Sequence, residues 1–421
     1  MSVDETMKHL VLTSVLALAV ACSAAAEEPL AVGDAIDRAL AHAPSILGAV
    51  AELDAAAAHV GEARAAFLPS VLAHGEYGRA HGFDEAVTNG GSTQAVARME
   101  ATLFDGGARR AALAAARARL RSARARGDQR RADVALAVRS AYATALAARA
   151  ELEIDRDVER ALETYAQLLA RQDQIGAANE NDVLRAKLGL RSQAAERRAT
   201  ESTLESALAD LASLTGTELS AGSLRDFAVT LEPVASDLVA ASPVVSDARE
   251  AAEAAARDAA ALEGERIGKA TLTADAGVIG VAFADSFERR SGAQFLLGFD
   301  VPLFDGGARN LRIAAARADA RGAQSKVAEA ARTVRLSVEH ATSEARRAEI
   351  DAAAAREATD LAAKNFLLME ARHLGGGNVR LLEVLDALTQ LSSLRLSVVR
   401  AELSLRLAAA RAADAVGKVT P

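Results

Sequence analysis

The segment LFDGGARRAALAAAR, Leu103–Arg117, returns as LFDGGARNLRIAAAR, Leu303–Arg317. Each time Asp-Gly-Gly precedes an alanine-rich run without proline. Asp105 and Asp305 can cap a helix, and Gly106, Gly107, Gly306 and Gly307 can take positive φ. Both segments therefore read as a strand swinging into a helix, with no residues for chemistry at the turn. The match extends outward. Pro44 in AHAPS answers Pro243 in AASPV, Gly176 answers Gly377, and Gly216 answers Gly417. The offsets stay within one residue of 200, so a duplication covers nearly the whole chain. Two copies are too few for a solenoid, and a paired-repeat architecture is expected.

Composition says what kind of repeat this is. Among 421 residues there is no Trp, with three Tyr and ten Phe, and Ala dominates the apolar set. Such side chains fill little volume, yet Ala, Leu, Arg and Glu are the best helix formers. Long helices in thin bundles or coiled coils follow. The net charge of −8, with the two signs interspersed, argues against a nucleic-acid partner.

Residues 1–26 read as an export signal. Lys8 and His9 precede the apolar run Leu10–Ala21, small residues follow, and then Glu27 and Glu28. Met7 offers a second start. The run is too short to span a bilayer as a helix. Cys22 is the only cysteine, so no internal disulfide can form. Two fates fit it: lipidation at a lipoprotein-type cleavage site, or removal by cleavage after Ala26.

Copy one is expected over 27–216 and copy two over 235–417, joined by a link at 217–234 and followed by a tail at 418–421. Each opens with a helix and continues with two alternating segments, 70–83 and 94–104, then 270–283 and 294–304. Ala95, Ala97, Met99, Ala101 and Leu103 share one side, and Arg98, Glu100 and Thr102 the other. Phe295, Leu297, Phe299 and Val301 alternate likewise. Any one such strand fits an ordinary half-buried sheet, but four in an exported helical chain point to an outer-membrane barrel. A long hairpin ends each copy, at 108–214 and 308–415. Val158, Leu162, Tyr165 and Leu169 form a coiled-coil stripe on the first.

Order and duplication together resemble the TolC family of outer-membrane efflux ducts. The matching residues are AIDRALAHAPSI near the start, AAFLPS before the first strand, LFDGG before both long helices, Tyr142 in VRSAYATALAARAELE, and Val384–Ala387, VLDA, after the second tip. The chain departs from the pattern in having few aromatics for membrane girdles and no counterpart of Pro69 in copy two. The resemblance implies a homotrimer in outer-membrane lipid, mostly α. Its four strands per protomer close one 12-stranded barrel, which a helical barrel continues through the periplasm. It implies a passive channel served by a periplasmic membrane-fusion adaptor and an inner-membrane pump of the resistance-nodulation-division or ABC type. No cofactor is implied. On the family's pattern Glu383 and Asp386 would form the periplasmic gate, and at i, i+3 they share a helix face. Asp182, Arg380 and Arg185 would latch it. Ile175, Gly176 and Ala177, with Leu374, Gly375 and Gly376, would dock the adaptor.

Enzymatic readings find no support. His9, His42, His59, His74, His81, His340 and His373 show no metal-ligand spacing, and neither a phosphate-binding GxxxxGK[ST] nor a GxSxG occurs. The remaining alternative is a periplasmic coiled-coil adaptor or scaffold without a pore. That reading does not account for a full duplication with paired strands.

Overall fold

The computed structural model describes residues 30–78, 92–175, 180–227, 236–283, 286–375 and 379–419. Cys22 and the whole of 1–26 lie outside them. So do residues 79–83 of the first expected strand, and Gly176, Ala177 and Gly376 of the tips.

Copy one contains α1 (Val32–His42), α2 (Pro44–Ala65), β1 (Ser70–Gly78), β2 (Ser92–Phe104), α3 (Ala108–Gln174) and α4 (Glu180–Thr215). Copy two repeats the order with α5 (Ser236–Ala241), α6 (Pro243–Glu265), β3 (Lys269–Phe283), β4 (Ser286–Asp300), α7 (Ala308–Leu374) and α8 (Leu381–Ala415). Pro44 and Pro243 each stand first in their helix, where a missing N–H costs nothing. At 67 residues each, α3 and α7 are roughly 100 Å long. The return helices α4 and α8 have 36 and 35 residues, about half that length. They cover the far half of each long helix, and α2 and α6 cover the near half.

The two Asp-Gly-Gly turns share one geometry. The Asp105 carboxylate accepts from the N–H groups of Gly107 (3.1 Å) and Arg109 (2.9 Å). Asp305 accepts from Gly307 and Arg309, both at 3.1 Å. Gly106, Gly107, Gly306 and Gly307 have φ of 64°, 89°, 67° and 85°. The two turns differ in what surrounds them. A Cβ on Gly106 would meet the Gly264 carbonyl oxygen of α6 at 2.2 Å, whereas one on Gly306 would meet nothing within 4 Å. Gly106→Ala should therefore lower the thermal stability of the isolated chain well beyond Gly306→Ala. The latter meets only the left-handed backbone penalty of about 1–2 kcal/mol.

The strands form one antiparallel sheet in the order β1-β2-β3-β4, and β2 with β3 joins the two copies. The expected 294–304 strand is corrected: β4 starts at Ser286 and ends at Asp300. Pro302 supplies no ladder N–H, so pairing stops before it. β2 begins at Ser92, two residues earlier than expected, and β3 at Lys269, one earlier. Register puts His74, Glu76, Arg98, Glu100, Asp275 and Gln294 on one face. Asp275 is only 7% exposed, gripped by two guanidinium nitrogens of Arg98, Nε (2.8 Å) and Nη2 (3.2 Å), and by Gln294 (3.0 Å). Met99, Leu272, Phe295, Leu297 and Phe299 lie on the opposite, apolar face.

No helix is long and apolar enough to cross a membrane among the described residues. The core is thin, and its thickest part lies midway along α3. There Ala35, Ile36 and Ala39 meet Val138, Tyr142, Leu146, Leu211 and Leu224. The buried Tyr142 hydroxyl donates to the carbonyl of Leu30 (2.7 Å) or Arg225 (2.8 Å) and accepts from the Arg225 N–H (2.7 Å). Burial pushes its pKa up, so it stays protonated and keeps donating.

At the same level, burial and then the nearby Asp133 push the Asp414 carboxyl up to about 6, against the pull of Arg139. Among the described residues its Oδ1 has no hydrogen-bond partner. A carboxyl raised in the fold binds its proton more tightly there than when unfolded. Stability is then greatest below the unfolded value near 4, and is lost as pH rises towards 6. Asp414→Asn should raise stability at pH 7.5 by about 1–2 kcal/mol, solvent screening of this half-buried carboxyl allowed for. It should also flatten the loss between pH 4 and 6, measured by chemical denaturation.

Candidate functional site: the far end of the hairpins

Far from the sheet, α3, α4, α7 and α8 converge. Val158, Tyr165, Leu169, Val183, Leu381, Val384 and Leu388 form a small apolar core, with Phe366 and Met369 packed against it. On α8 the inner face is Val384, Ala387, Leu388 and Leu391. Helical spacing then leaves Glu383 and Asp386 on the outer face, both exposed and neither touching the chain's own core. Glu383 sits in the first turn of α8, where the helix dipole favours a carboxylate, and Arg380 at the N-cap reaches it at 3.5 Å.

The structure does not bring the expected latch together within one chain. Arg380 pairs with Glu383, and among the described residues neither Arg380 nor Arg185 forms an ion pair with Asp182. A salt link spanning three residues of one helix is entropically cheaper than one spanning two hairpins. Other residues join the hairpins. Tyr165 on α3 donates its hydroxyl to Glu370 on α7 at 2.8 Å. Arg400 on α8 meets Glu151 on α3 at 3.4 Å, and Arg395 meets Asp157 at 3.9 Å. Burial first, then the bond to Glu370 and its charge, hold the Tyr165 hydroxyl in the protonated, donating form. The signal in the sequence was a tyrosine within an apolar stripe, whose hydroxyl needs a partner once buried. Its partner, Glu370, lies 205 residues away.

At the tips, Ile175 is 79% exposed and Leu374 69% exposed, both with their apolar side chains in solvent. Gly375 has φ −78°, a value any residue adopts, so its backbone does not demand glycine. His373 closes this turn through Nδ1 to the Val379 carbonyl at 2.9 Å.

A protomer with an open four-stranded sheet, polar on one face and apolar on the other, and with two 100 Å hairpins attached belongs to the class of membrane channel subunits. More narrowly, the chain belongs to the outer membrane efflux protein family, whose model matches residues 35–217 and 234–418. Membership puts the sheet in the bacterial outer membrane and the helices on its periplasmic side, in a family of channels rather than enzymes. The chain is 32% identical over 321 residues to protein CyaE of Bordetella pertussis, a match covering 69% of this chain and 64% of that protein. Its fold is similar to that of the outer membrane protein VceC of Vibrio cholerae, with a TM-score of 0.78, 20% identity and coverage of 92% and 96% of the two chains. A membrane protein of Pseudomonas aeruginosa gives a TM-score of 0.80 at 20% identity, with coverage of 91% and 93%.

Proposed function

We propose that three copies of this chain close into one twelve-stranded barrel continued by a helical tunnel. The assembly conducts substrates passively from a periplasmic adaptor and inner-membrane pump to the exterior, in a tripartite efflux or type I secretion system. The observation that carries this reading is the open sheet. Among the described residues β2 and β3 are paired on both sides, and β1 and β4 each present a bare edge. An unpaired edge is untenable in lipid, and closure by further copies removes it. Leu303 and Phe304, 92% and 91% exposed at the base of the sheet, then lie at the membrane boundary. The polar row around Arg98 and Asp275 faces the lumen.

Glu383 and Asp386 are the gate in this reading, repeated threefold, and the two tips are the adaptor's docking points. Reconstituted protein in planar bilayers should give discrete ion-conducting steps, and the detergent-solubilised form should have the mass of a trimer. A monomer without conductance would sink the proposal. Recovery of the protein in the soluble periplasm would favour the scaffold alternative instead.

The reading also bears on the two fates of Cys22. Leu30 is held by Tyr142, 34 residues along α3 from Ala108 and roughly 50 Å from the strand bases. Eight residues from Cys22 to Leu30 span at most about 28 Å. A lipid on Cys22 would stop short of the outer membrane, so cleavage after Ala26 is the consistent choice. The intact mass of the purified protein should correspond to a chain beginning at Glu27.

A further inference from the structure

Among the described residues three side-chain oxygens are closed off from solvent without a hydrogen-bond partner: Gln129 Oε1, Ser242 Oγ and Asp414 Oδ1. Buried polar atoms are nearly always satisfied, so each of them lacks something. The fold gathers all three at one level. Gly417, three residues beyond Asp414, packs so closely on Pro243 that a Cβ there would meet the proline Cδ at 2.4 Å. That contact sets the last turn of α8 beside Ser242, the residue before α6. α6 runs antiparallel to α3, since Arg119 meets Asp258, Arg121 meets Glu253 and Ser122 meets Asp247. Five residues back from Asp247, Ser242 comes level with Gln129. One turn further along α3, Asp133 accepts from Gln129 Nε2 at 2.8 Å and repels the charge of Asp414.

We infer that these four side chains, Gln129, Asp133, Ser242 and Asp414, bind a calcium ion between α3, α6 and α8. The site lies within one chain and does not rest on the trimeric reading. Ser242 carries the inference furthest. It stands at the N-cap of α6, where a serine hydroxyl ordinarily accepts from the first turn. Yet it makes no cap bond and is 0% exposed. Its counterpart in copy one, Ala43, starts α2 with no hydroxyl at all, so the helix start does not require one. Gln129 is oriented too. An ionised Asp133 can only accept, which turns the amide nitrogen towards it and leaves the carbonyl oxygen for the interior.

The donor set selects the ion. All four donors are oxygens, two of them carboxylates, and none is nitrogen or sulfur, which suits a hard cation. Carboxylate, amide and hydroxyl oxygens from three helices fit the irregular shell of calcium better than the octahedron magnesium demands. Arg139 aims its Nη1 and Nη2 at the carbonyls of Lys418 (3.4 Å) and Val419 (2.7 Å). It therefore offsets one of the two carboxylate charges without bonding Asp414 Oδ1. The exposed Asp133 is the point of entry. Once bound, the ion ties the end of α8 and the start of α6 to the middle of α3.

The test is the thermal midpoint of the full chain carrying Glu383→Gln and Asp386→Asn, so that the proposed gate takes no part. Replacing chelator with calcium should raise the midpoint by several degrees, and magnesium at equal concentration should raise it far less. Equilibrium dialysis of the same protein should retain one calcium ion per chain. Asp414→Asn, the more stable form in chelator, should lose the calcium response. Ser242→Ala removes one oxygen only and should shift the half-effect to about tenfold higher calcium. No rise, an equal rise with magnesium, or a rise that survives Asp414→Asn overturns the site and leaves the channel reading untouched.

Discussion

Converting Glu383 to Gln and Asp386 to Asn together should strip the channel of most of its cation preference and of its block by divalent ions. Both carboxylates point away from the chain's own core, so the substitutions remove charge without opening a cavity. In the proposed trimer three copies would bring six carboxylates to one aperture, where charge governs which ions enter. A loss on the order of tenfold in divalent affinity corresponds to about 1.4 kcal/mol, a modest demand on six charges in a confined site. Arg380, 3.5 Å from Glu383, already offsets part of that charge. Arg380→Ala should therefore shift selectivity further towards cations. Bilayer recordings in graded calcium or magnesium check both. Unchanged selectivity in the double variant would mean that these carboxylates only cap and solvate the start of α8.

Loosening the hairpins gives the second large effect. Tyr165→Phe deletes the part-buried 2.8 Å bond to Glu370 that links them, while keeping the ring in its apolar stripe. A hydrogen bond to a charged group contributes about 1.5–3 kcal/mol, so each protomer's closed state should lose tenfold or more. The Arg395–Asp157 pair is weaker by comparison. Its partners are 43% and 51% exposed at 3.9 Å, and such pairs contribute at most about 1 kcal/mol. Tyr165→Phe should accordingly raise the closed-state leak conductance well above the level given by Arg395→Ala. Equal leaks from the two variants would show that the apolar core of Val384, Leu388 and Phe366, and not the hydroxyl, holds the tip shut.

The repeated turn and the alternating strands were legible because each depends on local chemistry. Asp105 and Asp305 cap whatever helix follows them. The contacts that join the hairpins within one chain were not legible. Arg380 found its carboxylate three residues away at Glu383, and Tyr165 found its own 205 residues away at Glu370. Nothing in a residue's neighbours along the chain ranks those two outcomes.

By itself the sequence determined the helices, the strands and their twofold repetition, since periodicity and backbone preference act over a few residues. Only the tertiary structure decided which faces remain bare. Ala115 and Ala315 stand in near-identical segments, yet one is buried and the other exposed, because a single chain supplies a neighbour for α3 and none for α7.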